Sequence, residues 1–246
     1  MVISRLTSLL LSVVLLTSAA CDSKDKEKSS VGRTVDTKEV FSDPAVVELA
    51  EATAKGDPVK IKPGTNVNAV GSKGVSLLQW AMLNKSKAGF QSLLDAGADT
   101  SHTDEMGDAV MHYAAKAEDP TYLDMLLARK VDPNTPNAVT WHTPLMGALM
   151  AERKEHFRKL LAAGANPNLA ERLGNTSLHV AAKINENQLL LEMLKAGADP
   201  TAKNKQGLTF QRYLNMTPQN ILSAEAKGQR ENVLTWLREH NVPVET

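Results

Sequence analysis

A single cysteine in 246 residues leaves no partner for a disulfide within the chain and no set of thiolates to hold zinc. Neither sign of charge is in excess. Lysine plus arginine and aspartate plus glutamate both number 28, so no overall field draws the chain to nucleic acid or to an anionic membrane surface. Any charged partner must be met by local patches. Long apolar runs are equally scarce: Leu9 to Leu16 is apolar apart from Ser12, roughly half of the ~20 residues a spanning helix requires. Absent too are Gly-x-Ser-x-Gly, a phosphate-binding glycine loop and His-Glu-x-x-His. The residues therefore point away from an enzyme, and no cofactor, metal or small-molecule substrate is expected. What is present is a 42% hydrophobic content, enough to fill a core and to exclude disorder throughout.

Residues 1–20 have the anatomy of a signal peptide: Arg5 is the only charge, an apolar run follows, and Ser18, Ala19 and Ala20 close it. Cys21 comes next. Leu16-Thr17-Ser18-Ala19-Ala20-Cys21 resembles the lipobox of bacterial lipoproteins, although Ser18 stands where that family usually carries leucine, valine or isoleucine. The resemblance implies a diacylated Cys21 as the mature N-terminus, leaving no free thiol for redox or nucleophilic chemistry. Asp22 implies, by similarity to enteric lipoproteins, retention in the inner membrane with the rest of the chain facing the periplasm. A spanning anchor and an ordinary secretory signal beside an incidental cysteine are the competing readings. Residues 21–40, dense in charge (Asp22, Lys24, Asp25, Lys26, Glu27, Lys28), read as a lipidated cysteine and flexible tether.

From there to residue 246 the chain repeats. Ser76, Ala109, Thr143, Thr176 and Thr209 are spaced by 33, 34, 33 and 33 residues. Paired apolar residues follow the first four at a constant interval, Leu93-Leu94, Leu126-Leu127, Leu160-Leu161 and Met193-Leu194, and then Gly97-Ala98-Asp99, Lys130-Val131-Asp132, Gly164-Ala165-Asn166 and Gly197-Ala198-Asp199. Period and motif together resemble the ankyrin repeat, with Thr143-Pro144-Leu145 and Leu178-His179-Val180-Ala181 the nearest local matches. The fold class implied is all-α: a solenoid of about five to six helix-turn-helix repeats with short hairpin-like loops and capping end repeats, over residues 41–246.

Physical chemistry gives each recurring residue a task. Thr143 can cap a helix whose first turn holds Pro144, where a missing N–H costs nothing. Gly97, Gly164 and Gly197 supply the left-handed residue that closes a helix. Leu93, Leu126, Leu160 and Leu194 lie on helices too short to stand alone, so they must bury against neighbouring repeats. Pro44 to Lys55 reads as a first helix, but Lys60-Ile61-Lys62-Pro63 replaces the leucine pair, so the first repeat is expected to have a degenerate outer helix. At the other end Trp236-Leu237 comes about ten residues late, after Met216-Thr217-Pro218, which suggests a broken or lengthened inner helix and then a cap. Lys85, Glu118 and Glu152 stand where the family usually has glycine between helices, so those turns must be rebuilt or strained.

His112 and His179 occupy the motif's histidine position, where the resemblance implies hydrogen bonding between neighbouring repeats. His102-Thr103-Asp104-Glu105 could gather a metal or an acid–base pair, but reads as a solvated fingertip. In a solenoid of this kind, loops and inner helices form an extended concave surface on which a protein partner docks. Positions counted from the caps give Trp80, Leu83, Met106, Tyr113, His142, Met150, Arg172, Leu173 and Ile184 as outward residues, and Trp141 joins them in place of the usual loop glycine. These are types that anchor interfaces. Trp80 and Tyr113 could equally pack against the adjacent inner helix. Ankyrin-like lipoproteins resemble immunity proteins against secreted, type VI-like phospholipase toxins, and also accessory scaffolds for resident periplasmic enzymes such as a catalase; both readings are carried forward.

Overall fold

The computed structural model describes residues 36–245. The signal segment, Cys21 and the tether as far as residue 35 lie outside the described residues. Among those described there are twelve α-helices, two 3-10 turns and no strand beyond the isolated bridges Val70–Ser76 and Thr103–Ala109.

Helices α1 (Thr37–Val40) and α2 (Pro44–Ala54) open the fold. The end of the tether is therefore helical, a correction to the coil expected through residue 40. Its cause is local: the Asp36 carboxylate accepts from Lys38 N–H at 3.0 Å, and Phe41 beyond it is buried edge-on against Trp80, ring centres 5.8 Å apart. No helix occupies the outer position of the first repeat. Between Ala54 and Ser72 the chain runs irregularly, tied to the next repeat where Val59 N–H donates to Ser92 Oγ at 3.0 Å. This is the degenerate outer helix expected from Lys60 to Pro63.

Four regular pairs follow: α3 (Leu77–Leu83) with α4 (Lys87–Asp95), α5 (Val110–Lys116) with α6 (Thr121–Ala128), α7 (Pro144–Met150) with α8 (Lys154–Ala162), and α9 (Ser177–Lys183) with α10 (Asn187–Lys195). Each inner helix is seven residues long, too short to persist in water by itself. Inner helices pack on inner helices along the stack, and Leu93, Leu126, Leu160 and Leu194 are buried as the repeat requires. Ser76 and Thr143 cap their helices through side-chain oxygens, which accept from Gln79 and Met146 N–H at 3.2 and 3.3 Å.

Gly97 closes α4 at φ 78°, with Gly97 N–H donating to Leu94 O and Ala98 N–H to Leu93 O. Lys130 adopts the same geometry at φ 57° without being glycine, accepting a modest strain. The inter-helix turns divide as the sequence allowed. Lys85 and Glu152 sit at φ 56° and 57°, strained, whereas the turn at Glu118 is rebuilt: Ala117 is extended and Pro120 leads into α6.

The last repeat departs from expectation. Its inner helix, α11 (Phe210–Leu214), is neither broken nor lengthened but cut to five residues. Pro218 cannot continue a helix and biases Thr217 away from it. A 3-10 turn at Gln219–Ile221 then leads to α12 (Ala224–Glu239), sixteen residues long, which packs on α10. Residues 241–245 fold back over α11. Gln211 Nε2 donates to Pro243 O at 3.0 Å, Glu245 N–H donates to Gln211 Oε1 at 3.0 Å, and Thr209 Oγ1 donates to Glu245 Oε1 at 2.8 Å.

Candidate functional site

The loops are built around buried acceptors at one repeating position, a feature the sequence reading missed. Asp104 Oδ1 accepts from Met106 and Asp108 N–H, Asn137 Oδ1 from Val139 and Thr140 N–H, and Asn204 Oδ1 from Gln206 and Leu208 N–H. Glu171 does the same with two oxygens, toward Leu173 and Asn175 N–H. Burial opposes the Glu171 charge, but these donors outweigh it and hold the carboxyl below its usual range. The recurrence of Asp, Asn, Glu, Asn at this register was the available signal.

Each loop then hydrogen-bonds to the next through backbone. Glu105 N–H donates to Lys73 O, Ala138 N–H to Gly107 O, Arg172 N–H to Thr140 O and Lys205 N–H to Leu173 O, at 2.8–3.1 Å. Close approach is what demands glycine: a Cβ on Gly107 would lie 2.7 Å from Val139 N, and one on Gly174 2.9 Å from Lys205 N.

The inner helices are bridged by their third residue. Ala109 N–H donates to His112 Nδ1 at 3.1 Å, and His112 Nε2 reaches His142 O at 3.1 Å; His179 bonds Thr176 N–H and Leu208 O at 3.1 and 3.0 Å. Gln79 makes the same bridge from Ser76 N–H to Asp108 O. Only the histidines were legible in the sequence. Met146 holds the position in the fourth repeat and is wholly buried.

This bridge has a pH consequence. Nδ1 accepts from a backbone N–H, so protonation would set donor against donor, and burial is the largest cause holding His112 and His179 below the ordinary histidine value. Because the unfolded chain takes up protons first, the contribution of both residues is intact above about pH 6.5 and is lost progressively below it. The doubly substituted His112→Gln, His179→Gln chain should keep both bridges, as Gln79 keeps its own. Its melting midpoint should fall less than half as far as the wild type's between pH 6.5 and 5; an equal fall would place the titration elsewhere.

The expected surface residues divide. Met106 is 69% exposed, Leu173 65%, Met150 58%, Trp141 48% and Ile184 40%, with Val139 at 46% beside them. Arg172 is exposed, and its guanidinium carbon lies 5.7 Å from the Trp141 ring centre. Trp80 is not a surface residue. It is 6% exposed, donates from Nε1 to Ala50 O at 3.1 Å and belongs to the core, so it leaves the candidate set. Its burial follows from Phe41 and α2, which cover the first full repeat. Leu83 and Tyr113 are half-buried against the core, and the Tyr113 hydroxyl donates to Asp104 Oδ2 at 2.6 Å. Burial and that carboxylate raise the phenol's pKa beyond its ordinary range. His142 is half-buried, contributing its carbonyl to the His112 bridge.

His102, once a metal candidate, places Nε2 2.8 Å from Gly74 O, and Asp104 is occupied in its own loop. Among the described residues no three His, Cys, Asp or Glu side chains gather as metal ligands. On the opposite face, successive outer helices are linked by ion pairs such as Arg158–Glu192 and Lys159–Asp124, both 2.8 Å and too exposed to contribute much.

Trp141 is the anomaly of the surface. Gly74, Gly107, Gly174 and Gly207 all take positive φ in their loops, and Trp141 takes φ 66° at the corresponding place in the fourth. A bulky side chain in that region costs about 1–2 kcal/mol.

Residues 111–204 match the family model for ankyrin repeats in three copies. The chain has the fold of an ankyrin-repeat solenoid. It is 42% identical over 140 residues to Protein PhlB of Serratia liquefaciens, a match covering 56% of this chain and 62% of PhlB. The chain thus spans less than two thirds of PhlB, and 11% of another relative, the phosphocholine transferase AnkX of Legionella pneumophila, at 34% identity across 42% of this chain. Among solved structures it is similar to an ankyrin repeat domain from Acinetobacter baumannii AYE, with a TM-score of 0.65 at 27% identity, covering 76% of this chain and 96% of that one. The ankyrin domain of Bcl-3 shares the fold, with a TM-score of 0.58 at 23% identity over 69% and 74% of the two chains. Ankyrin repeats are protein-interaction modules, generally without catalysis of their own.

Proposed function

We propose that this chain is a membrane-tethered protein-binding module facing the periplasm, and that it neutralises a secreted, envelope-directed toxin of the phospholipase kind. The observation that carries binding is the row of exposed Met106, Val139, Trp141, Leu173, Met150 and Ile184 on the loop and inner-helix face. Scattered exposed apolar residues need no explanation, but a row of them on the face that such repeats use for partners does. Strain at Trp141 supports the same reading, since strained conformations cluster at binding sites. Tethering rests on the lipobox-like segment ending at Cys21, with Asp22 favouring the inner membrane, where a toxin could be intercepted. The immunity role rests on the resemblance to ankyrin-like immunity lipoproteins.

Two measurements test this. Cys21→Ser should abolish fatty-acid labelling and move the chain out of the membrane fraction, because that thiol is the only one available for acylation; labelling that persists would sink the lipoprotein claim. The product of the neighbouring gene should bind the full chain and lose its toxicity on binding. A bound neighbour that stays active, or a resident enzyme such as a catalase as the captured partner, replaces immunity with an accessory role.

A further inference from the structure

Helix α12 holds, against the irregular segment before it, a charge that the repeat fold does not require. Arg230 is 4% exposed and donates from Nη1 to Thr217 O at 2.9 Å, yet its Nε and Nη2 find no acceptor among the described residues. A guanidinium cannot shed its proton, and burying charged donors unpaired is among the costliest arrangements a fold can carry. Nε and Nη2 form one edge of the guanidinium, the edge that meets a carboxylate through two parallel hydrogen bonds. Arg230 also lines a pocket of about 300 Å³, shared with Gln219, Leu222, Lys227, Gly228 and Glu231. That volume stands at the lower end for ligand sites.

The walls fit an anion on an apolar stem. Lys227 adds a second positive charge, Gly228 leaves open space where a Cβ would be, and the Glu231 carboxylate is engaged by Arg238 at 2.7 Å. Met216 and Ile221, on the segment leading to the pocket, are 66% and 69% exposed. We infer that this pocket binds a carboxylate carried by a polypeptide, either an acidic side chain or a C-terminus flanked by apolar residues, with Arg230 taking both oxygens. Both free nitrogens are covered from solvent, so engagement requires the irregular segment 215–223, whose Thr217 carbonyl already accepts from Arg230, to shift. The pocket is separate from the fingertip row and does not depend on it.

The test uses the full ¹⁵N-labelled chain at fixed ionic strength with three probes: N-acetylleucine, its uncharged amide N-acetylleucinamide, and acetate. N-acetylleucine should move the Gly228 backbone N–H resonance, a reporter every variant retains, saturably and at about tenfold lower concentration than acetate, because a leucine side chain adds apolar burial. The amide should not move it. Arg230→Met should lose the response and melt no lower than wild type, since it removes an unpaired buried charge. Should that variant fail to fold, Lys227→Ala, an exposed position, should weaken the response about threefold, one charge of the pair being lost. Equal shifts from acid and amide, a response in Arg230→Met like that of wild type, or a linear, unsaturable shift overturns the site. Equal saturable responses to acetate and N-acetylleucine retain the carboxylate and overturn the polypeptide source.

Discussion

Removing residues 224–246 should lower the melting midpoint by about 10–20 °C, the largest stability effect expected for any single change to this chain. Helix α12 buries Val233 and Leu237 completely and covers α10, whose Leu190 and Met193 are themselves wholly buried. Two fully buried aliphatic side chains contribute roughly 3–6 kcal/mol before the uncovered face of α10 is considered. At about 2–4 °C per kcal/mol for a domain of this size, a loss near 5 kcal/mol gives the stated shift. Deleting only residues 241–246 should cost less, a few degrees, because it removes hydrogen bonds to Thr209, Gln211 and Asn215 worth about 1 kcal/mol each. Thermal melts of the two truncations, monitored by circular dichroism, check both figures. An unchanged midpoint in the longer deletion would mean that α12 is no cap.

The second large effect separates stability from recognition. Trp141→Gly should raise the midpoint slightly, because glycine relieves about 1 kcal/mol of left-handed strain at φ 66°. The same change should weaken partner binding by at least about 2 kcal/mol, roughly thirtyfold, as expected when an aromatic anchor is lost. Trp141→Ala distinguishes the two contributions, since alanine removes the ring but keeps much of the strain. Adding Arg172→Ala should weaken binding further, the guanidinium over the Trp141 ring being the neighbouring contact. Titration of each variant with the neighbouring gene's product is the measurement. A Trp141→Gly chain that binds as tightly as wild type would remove the fingertip row from consideration and direct attention to the outer helices or the Arg230 pocket.

A change that stabilises the fold while disabling it is what a functional site predicts. Loops with glycine at this place show that the fold has a relaxed solution available in Gly74, Gly107 and Gly174. The fourth loop does not use it. Its extra residue, visible as the 34-residue spacing before Thr143, goes with a loop organised by Asn137, whose side chain accepts from Val139 and Thr140 N–H while Trp141 N–H donates to Asn137 O.

How much of the site was legible depended on what covers each residue. Met106, Trp141, Arg172 and Leu173 were correctly placed on exposed loops because a loop tip has little around it. Trp80, left open between the surface and packing on the adjacent inner helix, takes the packed position. Here α1 and α2 bring Phe41 and the Ala50 carbonyl against the indole. Asp104, Glu171 and Asn204 looked like ordinary loop polar residues, and only the folded loops show them as the acceptors that shape each fingertip.

By itself the sequence determined the repeat, its period, its helix starts at Ser76, Thr143 and Thr209 and its stops at Gly97, Gly164 and Gly197. All of these are local events: a side-chain oxygen meets a backbone N–H two or three residues away, and a residue without Cβ takes a positive φ. Tertiary structure decided what locality cannot. Whether Lys85 strains or Glu118 rebuilds its turn, whether Gln79 substitutes for a histidine, and whether Arg230 finds partners for its remaining donors all depend on atoms from distant segments. Those outcomes are set by packing between repeats, where burial fixes which polar groups must be answered and leaves some, such as Arg230, unanswered.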